Sequence, residues 1–99
     1  MIWFEWDEAK SRNNERKHGI RFEDAALVFD DPFALVMQDR IEGGEYRWQT
    51  IGRSSGLLLL LVAHTVCSEG QDEIIRIISA RRATRKERIR YEQNSEDHS

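Results

Sequence analysis

Arginine dominates the residues of this 99-residue chain that could do chemistry. Twelve arginines stand against three lysines, and seven of these fifteen residues fall between Arg76 and Arg90. A guanidinium holds two phosphate oxygens at once, so this concentration favours a phosphate-bearing ligand. Arg76 lies between isoleucines in a predicted strand and must either pair with a carboxylate or face a cleft, while Arg81 and Arg82 follow at the exit of that strand. We predict that these three arginines stabilise a phosphate.

A polar helix near the start of the chain supplies a second group of candidates. Lys10, Asn13 and Lys17 fall at helical spacing and share one side of it. Because an imidazole exchanges protons near neutral pH, His18 or the adjacent Lys17 could act as general base or acid. An ordinary exposed helix, ending in a histidine that favours the helix dipole, explains the same residues. The predicted RNA-binding residues are Lys10, Asn13, Asn14, Arg85, Lys86 and His64.

Two of the candidates have simpler explanations. His64 ends an apolar strand, where it could equally be a buried, hydrogen-bonded histidine. The charges on the last helix could equally form a solvated face. Among the aromatic residues, Trp48 and Tyr91 are the best placed to stack on bases, although most aromatic side chains in such a chain belong to the core.

Other kinds of site leave no trace in the sequence. There is no Gly-rich phosphate loop, zinc motif or nucleophile elbow, and Cys67 is the single cysteine. We therefore expect neither a metal nor a cofactor.

Charge is distributed unevenly along the chain. Seven basic minus four acidic residues give +3 for positions 76–99, so the net charge of −3 leaves −6 for positions 1–75. This segregation predicts a basic patch on an acidic body.

The elements that position these residues alternate in type. A short aromatic strand around Trp3–Trp6 precedes a helix that Asp7 caps and Gly19 stops after His18. An apolar stripe from Phe22 to Phe29 predicts a second helix, which ends at Pro32. Four strands follow, at Phe33–Met37, Glu45–Arg53, Leu57–Val66 and Glu73–Ser79, with a turn at Gly43–Gly44 and a polar loop at Cys67–Asp72.

The short connections predict an antiparallel four-stranded meander, and the chain as a whole predicts an α+β domain. The third of these strands is apolar on both faces, so we expect it at the centre of the sheet, with a layer on each side. Thr84–Glu87 forms a capping box for a final helix. That helix has little to bury, and we expect it to be mobile or held by a partner. The predicted domain covers residues 1–92, with a flexible polar tail at 93–99.

Several blocks of residues resemble the BrnT-type ribonuclease toxins of type II toxin–antitoxin systems. The opening is similar in Phe4–Asp7 and in Arg16–Gly19, and the middle in Val28–Pro32 and Arg47–Trp48. The stretch from Ile75 to Thr84, followed by Glu87–Arg88, carries the strongest similarity. The resemblance covers nearly the whole chain, with one departure at Arg21, where such sequences commonly have a serine or threonine that caps the second helix.

This resemblance implies a RelE-like fold and a metal-independent endoribonuclease that inhibits translation. It also implies a cognate BrnA-like antitoxin with a ribbon-helix-helix part, through which the complex would bind operator DNA, as a dimer or heterotetramer. No apolar run is long enough to span a membrane and no signal peptide is evident, so we expect the protein in the cytoplasm. The alternative is a non-catalytic module that binds nucleic acid or only docks an antitoxin.

Overall fold

A mixed sheet organises the computed structural model, which describes residues 1–56 and 58–97. The elements in chain order are β1 (Ile2–Glu5), α1 (Glu8–His18), α2 (Phe22–Ala26), a 3₁₀ helix (Leu27–Asp30), β2 (Leu35–Glu42), β3 (Glu45–Arg53), β4 (Leu59–Glu69), β5 (Asp72–Arg82) and α3 (Arg85–Asp97). The strands lie in the order β1-β5-β4-β3-β2. The predicted α+β class is confirmed. None of the helices in the described residues is long and apolar enough to cross a membrane.

The central strand is β4, as its apolar sequence predicts, and β2 to β5 form the predicted antiparallel meander. The first strand adds a parallel pairing, because β1 lies beside β5 from Ile2–Glu73 to Glu5–Arg76. The polar loop predicted at Cys67–Asp72 is wrong. These residues extend the β4–β5 hairpin, which turns at Gly70 with a φ of 61°. The predicted start at Leu57 lies outside the described residues.

The sheet buries a different core on each face. The first core lies under α2 and the 3₁₀ helix and includes Phe22, Val28, Leu60, Val62 and Ile77. The second core is smaller and lies under α3, where Tyr91 packs against Ile51, Leu59 and Leu61. The helical stripe predicted for Phe22–Phe29 is split into α2 and the 3₁₀ helix. Both segments still bury apolar residues against the sheet, Phe22 and Ala25 from α2 and Val28 from the 3₁₀ helix.

Helix α1 begins and ends where the sequence predicts, and it is docked by polar rather than apolar contacts. Asp7 caps its first amides, and Gly19 follows its last residue with a φ of 74°. Its buried residues are Ser11 and Asn14. Arg21 supplies no side-chain cap for α2, but the Ser11 hydroxyl accepts the Phe22 amide at 3.1 Å. Ser11 therefore satisfies the first amide of α2 and ties the start of that helix to α1.

The last helix is held by its own chain. The capping box forms as predicted: the Thr84 amide donates to Glu87 at 2.8 Å, and the Glu87 amide donates to the Thr84 hydroxyl at 3.3 Å. Tyr91 is 2% exposed, and its hydroxyl donates to Asp31 at 2.7 Å. The expectation that α3 has little to bury is therefore wrong, since Tyr91 packs into the second core and bonds to Asp31. The helix runs to Asp97, beyond the predicted tail boundary, and His98 and Ser99 lie outside the described residues.

Candidate nucleic-acid interface

A bulge in β5 decides which of the predicted arginines share a face of the sheet. Ala63 pairs with Ser79 and His64 with Ile77, so Ile78 is an extra residue on β5. An extra residue shifts the alternation of side chains by one. Arg76 and Arg81, five positions apart, consequently lie on the same face as α3. Arg82 pairs with Leu60, a residue of the first core, and therefore lies on the opposite face.

Beside this bulge, on the part of the face that α3 leaves open, three adjoining cavities form one depression, here called the cationic cleft. Their volumes are about 300, 200 and 330 Å³, and all three are lined by Lys10 and Ile78. Five lysines and arginines line the cleft, from α1 and from β2, β3 and β5; they are Lys10, Lys17, Arg40, Arg47 and Arg76. The lining carboxylates are Asp7, Asp39 and Glu42.

Arg76 both lines the cleft and pairs with a carboxylate, the two outcomes that its strand position allows. Its guanidinium donates to Glu45 at 2.8 Å, and the two side chains are 44% and 51% exposed. A guanidinium has five N–H donors, so one bond to Glu45 leaves others for a ligand. Arg76 therefore has the geometry to hold a phosphate at the surface of the cleft.

Arg47 brings a partly buried guanidinium to the cleft. It lines two of the three cavities, its side chain is 23% exposed, and its Nε atom lies 3.8 Å from Glu42, beyond hydrogen-bond distance. Within the described residues this Nε is buried without a hydrogen-bond partner. A buried donor of this kind is costly unless something accepts its proton. An anion in the cleft would do so.

The α1 side of the cleft holds the predicted proton carriers. Lys17 and His18 line the second cavity with Asn13, and Lys10 joins that cavity to the one that contains Arg76. The structure thus brings Arg76, Lys10 and the Lys17–His18 pair to one continuous depression. Arg76 and the Lys17–His18 pair line neighbouring cavities that share Lys10 and Ile78.

Arg81 is engaged elsewhere. Two of its nitrogens donate to the two carboxylate oxygens of Glu87 at 2.8 and 3.0 Å. Glu87 raises the pKa of Arg81 through these bonds, and Arg81 lowers the pKa of Glu87 in return. Because this carboxylate is also part of the capping box, Arg81 fastens the start of α3 to β5. Two nitrogens of the Arg81 guanidinium are thus bonded to Glu87, and Arg81 does not line the cleft.

Arg82, Arg85 and Lys86 also lie away from the cleft. Arg82 is exposed and lines a separate cavity of about 320 Å³ with Leu58 and Arg88. Arg85 and Lys86 are exposed on the first turn of α3. The three predicted phosphate ligands of β5 therefore do not converge, and the reason is the bulge together with the Arg81–Glu87 pair.

Two predicted RNA contacts have structural roles. The Asn14 amide lies on the outer edge of β5 beyond the end of β1, where it accepts the Ala80 amide at 3.1 Å and donates to the carbonyls of Ala80 and Ile20 at 2.8 Å. His64 is 2% exposed, its Nε2 lies 2.7 Å from the Thr50 hydroxyl, and burial lowers its pKa. Asn14 also lines the second cavity of the cleft, whereas His64 is buried and lines none of the three.

Sequence reasoning missed Arg47, Arg40 and Glu45. Arg47 stands between aromatic residues in a predicted strand, which is the same signal that singles out Arg76 between isoleucines. Tyr91, a predicted stacking residue, is buried in the second core. Within residues 1–56 and 58–97, no group of three or more histidines, cysteines or carboxylates is placed to hold a metal ion.

Comparison with known proteins identifies relatives over most of the chain. The family model described as the ribonuclease toxin BrnT of type II toxin–antitoxin systems matches residues 6–87. The 1.1 Å crystal structure of the Brucella abortus ribonuclease toxin BrnT superimposes with a TM-score of 0.62 at 28% sequence identity. The match covers 86% of this chain and 99% of that one. A comparison with curated proteins gave no match.

Proposed function

The chain belongs to the BrnT family of ribonuclease toxins of type II toxin–antitoxin systems, and from this membership we propose that it is an endoribonuclease which cleaves RNA in the cationic cleft. The observation that carries the proposal is the lining of one cavity by Lys10 from α1, Arg47 from β3 and Arg76 from β5. Three cations from three separate elements, aimed at one small cavity, suit a group with several negatively charged oxygens.

The proposed reaction is an attack by the 2′-hydroxyl of one nucleotide on the adjacent phosphorus. The 2′-oxygen loses its proton to a base and bonds to phosphorus, the bond from phosphorus to the 5′-oxygen breaks, and an acid protonates that oxygen. The products are a 2′,3′-cyclic phosphate and a 5′-hydroxyl. Lys17 or His18 would carry the proton, since they line the cavity next to Arg76.

Electrostatic stabilisation in this scheme comes from the chain itself. Arg76 and Arg47 would hold the non-bridging oxygens, whose charge grows as the fifth bond to phosphorus forms. The Nε atom of Arg47 makes no hydrogen bond in the described residues, so a bond from it to a phosphate oxygen would replace no existing one. These cations supply the charge that a metal ion supplies in other nucleases, so we propose that cleavage needs no metal.

The remaining predicted residues have other roles in this proposal. Lys10 and Asn13 would contact the RNA backbone at the cleft, and the exposed Arg85 and Lys86 would contact it outside the cleft. Arg81 would act as a positioning residue for α3 because its fork is held by Glu87. Arg82 lies on the other face and has no place in the reaction.

The biological setting follows from the family. We propose that cleavage inhibits translation, that the chain acts in the cytoplasm, and that a protein antitoxin neutralises it. The antitoxin would be BrnA-like, with a ribbon-helix-helix part that binds operator DNA for the complex. The toxin and antitoxin would assemble as a dimer or heterotetramer.

The test is incubation of the purified chain with an RNA oligonucleotide in EDTA. The proposal predicts fragments that end in 2′,3′-cyclic phosphate, and it predicts no reaction with the oligonucleotide that carries a single 2′-deoxy substitution at the cleavage site. Binding of the RNA without cleavage, with or without added magnesium, would instead support a non-catalytic module. Cleavage of the 2′-deoxy substrate would contradict the proposed attack.

A further inference from the structure

An open groove separates the ends of β3 and β4. The paired register of these strands stops at Trp48–His64, although β3 begins at Glu45 and β4 continues to Glu69. Between the separated ends lies a cavity of about 610 Å³, larger than any of the three that form the cationic cleft. It is lined by Val36, Tyr46, Trp48, Thr65, Val66 and Cys67, together with the β2–β3 turn.

The groove exposes apolar side chains that the fold does not cover. Val36 and Tyr46 are each 55% exposed and Val66 is 39% exposed. The residues that pair with the two valines, Thr50 with Val36 and Ile75 with Val66, are buried. A contiguous exposed apolar patch on a small domain is typical of an interaction site. Tyrosine and tryptophan are also the residues that most often carry the binding energy of an interface.

Carboxylates stand on the two hairpin tips beside this apolar floor, and Glu45 lines it. The hairpin tips that bound the groove, residues 42–46 and 66–73, contain no lysine or arginine; their five carboxylates are Glu42, Glu45, Glu69, Asp72 and Glu73. Three of them are ion-paired within the chain, Glu42 with Arg40, Glu45 with Arg76 and Asp72 with the N-terminal amine, so the excess negative charge rests on Glu69 and Glu73. This remaining charge disfavours RNA, and it disfavours a second copy of the chain, which would bring the same two carboxylates to the contact. An apolar segment flanked by basic residues is complementary to both features.

We propose that this groove binds an apolar segment of the antitoxin, and that lysine or arginine residues flank this segment. The proposal rests on the proposed function, which requires a protein antitoxin. Glu45 connects the groove to the proposed site of cleavage. Glu45 lines the groove, and its carboxylate holds Arg76 in the cleft at 2.8 Å. An antitoxin seated in the groove would therefore contact the residue that competes with phosphate for Arg76.

The native cysteine provides a direct test. Cys67 is exposed, lines the groove and is the single cysteine of the chain, so a maleimide reports on the groove without any substitution. The probe partner is the purified product of the reading frame beside this chain's own. At a partner concentration about 100 times its Kd, about 1% of the chain is free, and labelling should slow by up to about 100-fold. Labelling that continues at the unprotected rate in the saturated complex, or a partner that does not bind, overturns the proposal.

Two further labelling experiments test whether nucleic acid or a second copy of the chain occupies the groove instead. A DNA oligonucleotide of the same sequence as the RNA substrate, which lacks the 2′-hydroxyl, should bind the cleft and leave the labelling rate unchanged. Protection by that oligonucleotide would assign the groove to nucleic acid. Protection that grows with the concentration of the chain alone would assign it to a second copy. Either result overturns the proposal.

A substitution tests the energetics. Tyr46→Ala should weaken antitoxin binding by about tenfold or more, because an exposed tyrosine in such a groove has the character of a hot spot. The matched control is Trp3→Ala, an aromatic residue of 53% exposure that does not line the groove, and it should bind as the wild type does. Equal affinity of Tyr46→Ala and wild type contradicts the proposal. These measurements need no RNA cleavage, so failure of the ribonuclease proposal would appear separately, in the EDTA assay.

Discussion

Replacement of Asn14 by alanine should loosen α1 from the sheet. The Asn14 side chain serves three backbone groups: the amide and carbonyl of Ala80 and the carbonyl of Ile20. It takes the place of a neighbouring strand along the part of β5 that β1 does not reach. Since Lys10 and Lys17 lie on the same helix, the bond between Asn14 and Ala80 also positions the α1 side of the cationic cleft.

The loss of free energy of unfolding can be worked out from the backbone groups that Asn14→Ala leaves without hydrogen-bond partners. Each of the three hydrogen bonds contributes about 1–1.5 kcal/mol, and Asn14 itself is 7% exposed, so little water replaces them. We therefore expect Asn14→Ala to lower the free energy of unfolding by about 3–4.5 kcal/mol. For a domain of this size that corresponds to a fall in Tm of about 12–36 °C. A typical domain has about 5–15 kcal/mol to lose, so the variant should still fold.

Urea denaturation measures the loss, and amide exchange localises it. The midpoint should fall with an unchanged m-value, and the Ala80 amide should exchange faster than the neighbouring amides of β5. The control is Asn13→Ala, one residue away on the same helix but exposed, which should change stability by less than about 0.5 kcal/mol. A loss below about 1 kcal/mol for Asn14→Ala would refute this account of how α1 is docked.

Three other perturbations test the surrounding structure. Tyr91→Phe removes the hydrogen bond to the Asp31 carboxylate and should cost about 1–2 kcal/mol in urea denaturation; no loss would show that this bond does not hold α3. Gly52→Ala places a Cβ 2.7 Å from the buried side chain of Val28 and should lower Tm at a cost of about 1–3 kcal/mol, whereas an unchanged Tm would mean that Val28 moves freely. Burial lowers the pKa of His64, so the folded state resists its protonation. Stability should therefore fall as pH drops below about 6.5, the unfolded value, towards the lower folded pKa, by at most about 1.4 kcal/mol per pH unit. His64→Gln should flatten that dependence, and an equal slope in the variant would contradict it.

The sequence predicts the elements of this fold well where they follow a clear apolar or capping pattern. Asp7, Gly19 and the Thr84–Glu87 box mark helix ends by local chemistry, and each lies where that chemistry requires. The central position of β4 follows from its apolar residues on both faces. The extension of the β4–β5 hairpin to Glu69 and Asp72 could not be predicted in this way. Its polar residues pair through the backbone, which leaves no side-chain pattern.

The candidate site is less predictable, because it depends on contacts between distant segments. The bulge at Ile78 decides that Arg76 and Arg82 lie on opposite faces, and nothing in the local sequence distinguishes Ile78 from its neighbours. Asn14 has the same residue type as the exposed Asn13, yet tertiary hydrogen bonds bury it. Arg47 could have been found by the rule applied to Arg76, since both are arginines within apolar strand sequence.

The most direct measurement of the central claim is the rate at which Arg76→Ala cleaves an RNA oligonucleotide under single-turnover conditions. The account predicts a loss of about 10²-fold or more, with the free energy of unfolding within about 1 kcal/mol of wild type. Arg12→Ala, an exposed arginine of α1 that does not line the cleft, should cleave at the wild-type rate. Full activity in folded Arg76→Ala would contradict the assignment of the cationic cleft as the site of cleavage.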